Sequence, residues 1–187
     1  MLPKTIIHLL SGGLDSVTML YDLHGQGHRV HCVLFDYKQR HVQELTFAKS
    51  HCRRLGVMFT TIELPDLGGL TEASWIVPNR NAILLSLAVN LAVKAGADTV
   101  TIGCNKEDEA GFPDCRQAFI QMFNNTLTTS EVHVEVCAPY LTWPKWKIAD
   151  LSRQLGVPPH EIWTCYKGGE KPCGECPACK KLAAAFK

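Results

Sequence analysis

The stretch LLSGGLDSVTML, residues 9–20, decides the fold, because it sets Ser-Gly-Gly-x-Asp-Ser directly behind the short apolar run TIIHLL (5–10). A strand-to-helix turn wants glycine for conformational reasons with or without a ligand. In a parallel sheet, however, ligands sit at the carboxyl ends of the strands, and the first β-α turn is the usual phosphate site, because backbone N–H groups point outward from a helix start. Ser11, Gly12, Gly13, Leu14, Asp15 and Ser16 occupy that position. The two glycines let backbone approach closely, Ser11 and Ser16 add hydroxyl donors, and Asp15 can cap the helix or help hold a metal. No lysine follows, so this is not the Gly-x-x-x-x-Gly-Lys-Ser/Thr loop of kinases, and the Gly-x-Gly-x-x-Gly of dinucleotide folds is absent too.

Working outward, apolar runs alternate with segments of helical length. TIIHLL (5–10), RVHCVLF (29–35), FTTIEL (59–64), DTVTIG (98–103) and VHVEVCA (132–138) read as strands. Helices are expected over 15–24, 42–55, 80–95, 115–127 and, as the last one, 145–155, with Gly25, Gly56, Gly96 and Gly156 as stops. This is the rhythm of an α/β fold: an open, mainly parallel five-stranded sheet with helices on both faces. The 187 residues, 46% of them hydrophobic, suit a nucleotide-binding catalytic domain over 1–157, with a small appended module over 158–187 packed on it.

The 19 basic residues against 18 acidic ones leave a net charge of +1, which argues against a direct nucleic-acid or membrane partner and for small-molecule substrates. The apolar start is too short for a signal peptide, and 82–95 is too short and too interrupted to span a bilayer, so a cytoplasmic location is expected. Four of the nine cysteines, Cys165, Cys173, Cys176 and Cys179, fall within fifteen positions near the end. Thiolates so spaced can close a tetrahedral zinc site; an iron–sulfur cluster is the rival, with nothing else in the chain suggesting redox chemistry. A tail rich in Gly, Pro and Lys has little apolar surface to fold around without a metal.

Three further stretches fall on the ligand edge. FDYKQRH (35–41) places Asp36, Gln39, Arg40 and His41 where they line an adenine or substrate pocket or else serve as polar caps. VPNRN (77–81) puts Arg80 at a helix start, where a cation opposes the helix dipole and is therefore expected to face an anion. GFPDCR (111–116) brings Asp114, Cys115 and Arg116, with Cys115 read as apolar filler rather than nucleophile. Lys145, ahead of a helix, either stabilises phosphate charge or is simply exposed.

The loop resembles that of the PP-loop ATP pyrophosphatases, which have an adenine nucleotide alpha hydrolase-like fold. Taken with YKQRH, VPNRN, GFPDCR, Lys145, TCY and CGECPAC, the chain resembles the QueC family of the queuosine pathway nearly end to end. The resemblance implies a ligase that converts 7-carboxy-7-deazaguanine and ammonia to the nitrile with ATP as co-substrate and Mg2+, through adenylated carboxylate and amide intermediates, with zinc structural. It implies catalytic roles for Ser11, Asp15, Ser16 and Lys145. Nucleotide contacts fall to Leu10, the 11–16 loop and Asp36, and substrate contacts to Gln39, Arg40, Arg80, Asp108, Asp114 and Arg116. A homodimer is left open. Leu14 stands where the family commonly has glutamine, the Cys165–Cys173 interval is slightly short, and 65–77 is shortened, which leaves an amide-forming relative or one using another amine as the alternative. A tRNA-thiolating enzyme and a non-catalytic nucleotide-binding module rank below it.

Overall fold

The computed structural model describes residues 2–67 and 77–186. Five strands, β1 (Thr5–Leu9), β2 (Arg29–Asp36), β3 (Met58–Glu63), β4 (Thr99–Thr101) and β5 (Glu135–Cys137), form one sheet in the order β3-β2-β1-β4-β5. Every neighbouring pair is parallel. The expected α/β architecture is therefore present, with β1 at its centre.

The helices are α1 (Leu14–Gly25), α2 (Gln43–Leu55), α3 (Arg80–Ala95), α4 (Gln117–Thr129), α5 (Lys145–Gln154) and α6 (Pro177–Ala185). The strand period of two explains how they cover both faces. From β1 and β2, Ile6, Val30, Cys32 and Leu34 pack with α1, α2, α5 and α6 residues such as Val17, Ala48, Ile148 and Ala185. Ile7, Val33 and Phe35 turn to the other face and meet Leu85, Ala88 and Ile120 of α3 and α4. Each such fully buried Leu, Ile or Val contributes roughly 1.5–3 kcal/mol of transfer free energy.

Several boundaries differ from the sequence-based expectations. The fourth and fifth strands are shorter than expected: Ile102 and Gly103 leave the sheet after Thr101 to line a cavity. α4 starts two residues later, because Pro113 opens a separate 3-10 turn over Pro113–Cys115. Gly56 and Gly96 are left-handed C-caps as expected, but α1 runs through Gly25 and is capped at Gln26. α5 is not the last helix. α6 follows it, with Cys176 as N-cap and Pro177 in its first turn, built on the Ala, Lys and Leu that stand among and after the cysteines.

The C-terminal segment packs on the sheet domain at both ends. Trp163 N donates to Gly12 O at 2.9 Å and its ring stacks on Phe47 with centroids 5.4 Å apart. Further on, Arg153 Nη2 donates to Phe186 O at 2.7 Å, tying α5 to the end of α6.

Candidate active site

The order of strands switches from one side of β1 to the other between β1 and β4, and there the carboxyl ends of β1, β2 and β4 open into a cavity of about 660 Å³. Open α/β sheets bind ligands at this place, and the size suits a small-molecule site. Its floor is Leu9 to Ser11, Phe35 and Ile102 to Cys104. Gly13 to Ser16 and Lys145 line one side, Tyr37, His41, Glu44 and Arg80 also face it, and Tyr166, Cys176 and Lys181 of the C-terminal segment add a wall.

The glycine-rich loop is held from within. Ser11 Oγ and Ser16 Oγ lie 3.0 Å apart, Ser11 N donates to Ser16 Oγ at 3.2 Å, and Ser16 Oγ donates to Gly13 O at 3.2 Å. The first intrahelical bond is Val17 N to Gly13 O, so the N–H groups of Leu14, Asp15 and Ser16 have no helical acceptor, the arrangement that accommodates an anion. Below the loop, His8 is fully buried, with Nε2 2.8 Å from Ser16 O and Nδ1 2.9 Å from Thr101 Oγ1. Burial pushes its pKa down to about 4, so the neutral ring donates from Nε2 to the carbonyl and braces the helix start.

Gly12 does not line the cavity; it faces away from it. At φ +84° its backbone lies against the first turn of α2, where a Cβ would come within 3.2 Å of the Glu44 carbonyl carbon and closer still to its oxygen. Gly13, by contrast, has φ −79°, lines the cavity, and a Cβ there would find only ordinary contacts, 3.5 Å to Ser11 Oγ being the nearest. The two adjacent glycines thus serve different ends. Leu10 and Leu14 line the cavity while burying most of their surface in the core.

A polar cluster stands beside the loop. Lys145 Nζ and Asn105 Nδ2 each lie 3.0 Å from Asp15 Oδ2, and Asn105 Nδ2 also donates to Asp108 Oδ2 at 2.7 Å. Burial opposes the charge of Lys145, but the Asp15 and Asp108 carboxylates beside it outweigh that and lift its pKa above the ordinary lysine value. Burial raises the Asp108 carboxyl pKa. Among the described residues Asp15 Oδ1 is buried without a hydrogen-bond partner, and with Asp108 it forms a donor set that suits a hard cation such as Mg2+. Glu107 accepts the Lys145 backbone N–H at 3.1 Å and so fixes the start of α5. Sequence reasoning missed Asn105 and Glu107, although NKED (105–108) follows the fourth strand on the ligand edge.

The other expected residues are distributed unevenly. Arg80 lines the cavity and donates from Nη1 to Tyr37 Oη at 3.0 Å. Asp36, Gln39, Arg40, Asp114 and Arg116 are not among the cavity-lining residues. Asp36 accepts from Lys38 N at 3.0 Å in the turn after β2. Gln39 is buried, accepting from Tyr37 N and donating to Phe35 O and to Glu44 Oε1. Arg40 is exposed. Asp114 Oδ2 accepts from Asn81 N at 3.0 Å, which caps the first turn of α3, and Arg116 Nε donates to Glu109 O. Cys115 is buried at the cavity edge, accepting from Asn81 Nδ2 at 3.3 Å. The shortened segment lies mostly within residues 68–76, outside the described residues.

The four clustered thiols converge. The Sγ atoms of Cys165, Cys173, Cys176 and Cys179 all lie within 4.8 Å of one another, and those of Cys173 and Cys179 are 3.9 Å apart. Ligands 2.3 Å from one tetrahedral ion would stand about 3.8 Å apart, so this spacing is compatible with zinc. A cubane cluster, which interposes its own sulfides, spreads its ligands wider. Trp163 and Phe47 pack on the cluster, and Cys176 belongs to the cavity wall as well.

Among the described residues, no helix is long and apolar enough to cross a membrane. A family model described as "Queuosine biosynthesis protein QueC" matches residues 5–76 and 71–187, two pieces that overlap inside the segment expected to be shortened. A 7-cyano-7-deazaguanine synthase of Caldicellulosiruptor bescii is 35% identical over 200 residues, covering 96% of this chain and 90% of that protein. Among solved structures, an NMN synthetase from Francisella tularensis superposes with a TM-score of 0.61 at 12% identity, covering 98% of this chain and 83% of the other. The U34-tRNA thiolase NcsA from Methanococcus maripaludis with its [4Fe-4S] cluster gives 0.58 at 17% identity, covering 98% and 63%. These two likenesses concern the fold alone.

Proposed function

The chain belongs to the QueC family of queuosine biosynthesis proteins, and from that premise we propose that it is an ATP-dependent ligase converting 7-carboxy-7-deazaguanine and ammonia to 7-cyano-7-deazaguanine. The observation that carries this reading is the convergence, in one cavity, of an anion-holding helix start with Lys145, Asp15 and Asp108. A carboxylate oxygen is a poor leaving group, and adenylation makes it a good one. The substrate carboxylate attacks the α-phosphorus of ATP and pyrophosphate leaves. Ammonia then displaces AMP to give the amide, whose oxygen is adenylated in turn, and loss of AMP and a proton leaves the nitrile.

In this scheme the N–H groups at the start of α1 and the Ser11 and Ser16 hydroxyls hold the phosphate chain, and Lys145 offsets charge gathering on the α-phosphate in flight. Asp15 and Asp108 would hold Mg2+, which when bound neutralises phosphate oxygens. Asn105 keeps both carboxylates in place. The four cysteines hold a structural zinc, whose module closes one side of the cavity against water. The remaining residues expected at the nucleotide or the substrate act through the walls: Asp36, Gln39 and Arg40 shape the turn behind Glu44, Asp114 holds the start of α3 and its Arg80, and Arg116 ties the start of α4 to Glu109.

The experiment is to supply purified protein with 7-carboxy-7-deazaguanine, ammonium, magnesium and ATP and to identify products by mass. Nitrile with AMP is expected, and Asp15→Ala is expected to lower AMP formation at least 100-fold, on the order of a lost charge-stabilising group, while the fold persists. Amide as the end product would replace this reading with the truncated reaction. AMP formation untouched in Asp15→Ala would remove that residue from the site.

A further inference from the structure

One cavity group has no part in the phosphate chemistry. Glu44, in the first turn of α2, keeps only 12% of its side chain exposed and lines the cavity. Its Oε1 accepts from Gln39 Nε2 at 3.0 Å, and its Oε2 lies 3.5 Å from His41 Nε2. Burial and the nearby Arg80 push the His41 pKa down to about 4, so at neutral pH that ring carries no charge to set against the carboxylate. Arg80 stands beside the pair but donates to Tyr37. Gln39 in turn is anchored to Tyr37 N and Phe35 O, so the carboxylate is aimed by a side chain that cannot itself turn. Burial lifts the Glu44 carboxyl to about 8, the mark of a group with too few donors around it.

Building on the ligase reading above, we propose that Glu44 selects the 7-deazaguanine ring by accepting from its N1–H and 2-amino groups. A guanine-type edge offers two adjacent donors, which match the two oxygens of a carboxylate. Those two donors stabilise the ionised form that burial alone disfavours, so binding the ring drives the proton off Glu44, and an adenine edge, with an acceptor at N1, would meet that carboxylate lone pair to lone pair. Glu44 therefore sorts the base to be activated from the adenine of the ATP that activates it, in a cavity that must receive both. Specificity of this kind is steep, because the analogue lacking a donor leaves a buried acceptor unpaired.

The test is equilibrium binding, by titration calorimetry, of 7-carboxy-7-deazaguanine and of its analogue without the 2-amino group, 7-carboxy-7-deazahypoxanthine. The wild-type protein is expected to bind the analogue about 10- to 100-fold more weakly, the range of a hydrogen bond to a charged group. In Glu44→Gln the preference should shrink to within about 3-fold while ATP affinity stays close to wild type. A purely structural role would weaken both ligands together and leave the preference in place; that result, or no wild-type preference, overturns the proposal. Glu44→Asp keeps the charge but retracts it by one methylene and serves if the first variant does not fold. A weakened preference there supports the proposal and an undiminished one overturns it. Binding also separates this inference from the reaction: a wild-type protein that makes no nitrile yet shows a Glu44-dependent preference refutes the ligase and keeps the base reading, and nitrile formation with a Glu44-independent preference does the reverse.

Discussion

Substituting Gly12 and Gly13 separately by alanine distinguishes two reasons for a glycine that look identical in the sequence. At Gly12 the added methyl meets a φ of +84° and a carbonyl carbon at 3.2 Å, with Ala48 N at 3.5 Å behind it, all of it helix backbone that cannot rotate away. The left-handed conformation costs an L-residue roughly 1–2 kcal/mol, and overpacking against backbone adds about 1–3 kcal/mol. Their sum, about 2–5 kcal/mol, corresponds for a domain of this length to a loss of roughly 5–15 °C in Tm. At Gly13, φ −79° is open to any residue and the nearest atoms to the methyl are at 3.5 and 3.7 Å, so Gly13→Ala should cost no more than about 1 kcal/mol, the difference between glycine and alanine at an N-cap. Yet Gly13 lines the cavity, so its methyl occupies the path of the phosphate chain and AMP formation should fall while the fold holds. Thermal unfolding by circular dichroism, paired with an AMP assay, reads both. A Gly12→Ala protein melting within about 2 °C of wild type, less than 1 kcal/mol on the same scale, would refute the close approach, and equal destabilisation by the two variants would refute the division of labour.

Two further expectations follow from the cysteines and from Glu44. Cys176→Ser should leave purified protein with substoichiometric zinc by elemental analysis and, because Cys176, Pro177 and Lys181 stand in the cavity wall, should reduce AMP formation as well as Tm; stoichiometric zinc in the variant would count against the assigned ligands. The Glu44 carboxyl, raised from 4.5 to about 8 by burial, keeps a proton in the folded state that the unfolded chain releases above its ordinary value. Folding therefore takes up a proton between about pH 4.5 and 8, and stability falls as pH rises through that window. The uncharged Glu44→Gln should match wild type near pH 4.5 and exceed it above pH 8 by up to about 5 kcal/mol, the full linkage for a shift of this size. Denaturant melts at the two pH values check this, and a difference that is the same at both would show that burial does not shift the Glu44 carboxyl.

Much of the frame was legible because it is written in contiguous residues. A strand's period of two, a helix's capping glycine and a thiol spacing of two are all short-range, and β1, β2 and the cysteine cluster stand where such patterns put them. The misplacements have local causes too. Pro113 separates a 3-10 turn from α4, and over 176–185 metal-type cysteine spacing and helix-forming residues share one stretch, so the first masks the second.

What the sequence by itself determined is the alternation of elements, the glycine-rich start of α1 and the set of thiols, since neighbours along the chain need no tertiary partner to declare themselves. Only the tertiary structure decided which residues meet. Asp15 is joined by Asn105 from 90 residues away and by Lys145 from 130, and neither meeting is implied by periodicity; both depend on β4 lying beside β1 rather than outside β3. The same dependence moved Asp114 to a helix cap, turned Gly12 toward α2, and buried Glu44 in the cavity wall. Burial and approach are properties of the packed whole, because the low dielectric and the excluded volume that give Glu44 and Gly12 their roles come from chain segments that sequence proximity does not bring together.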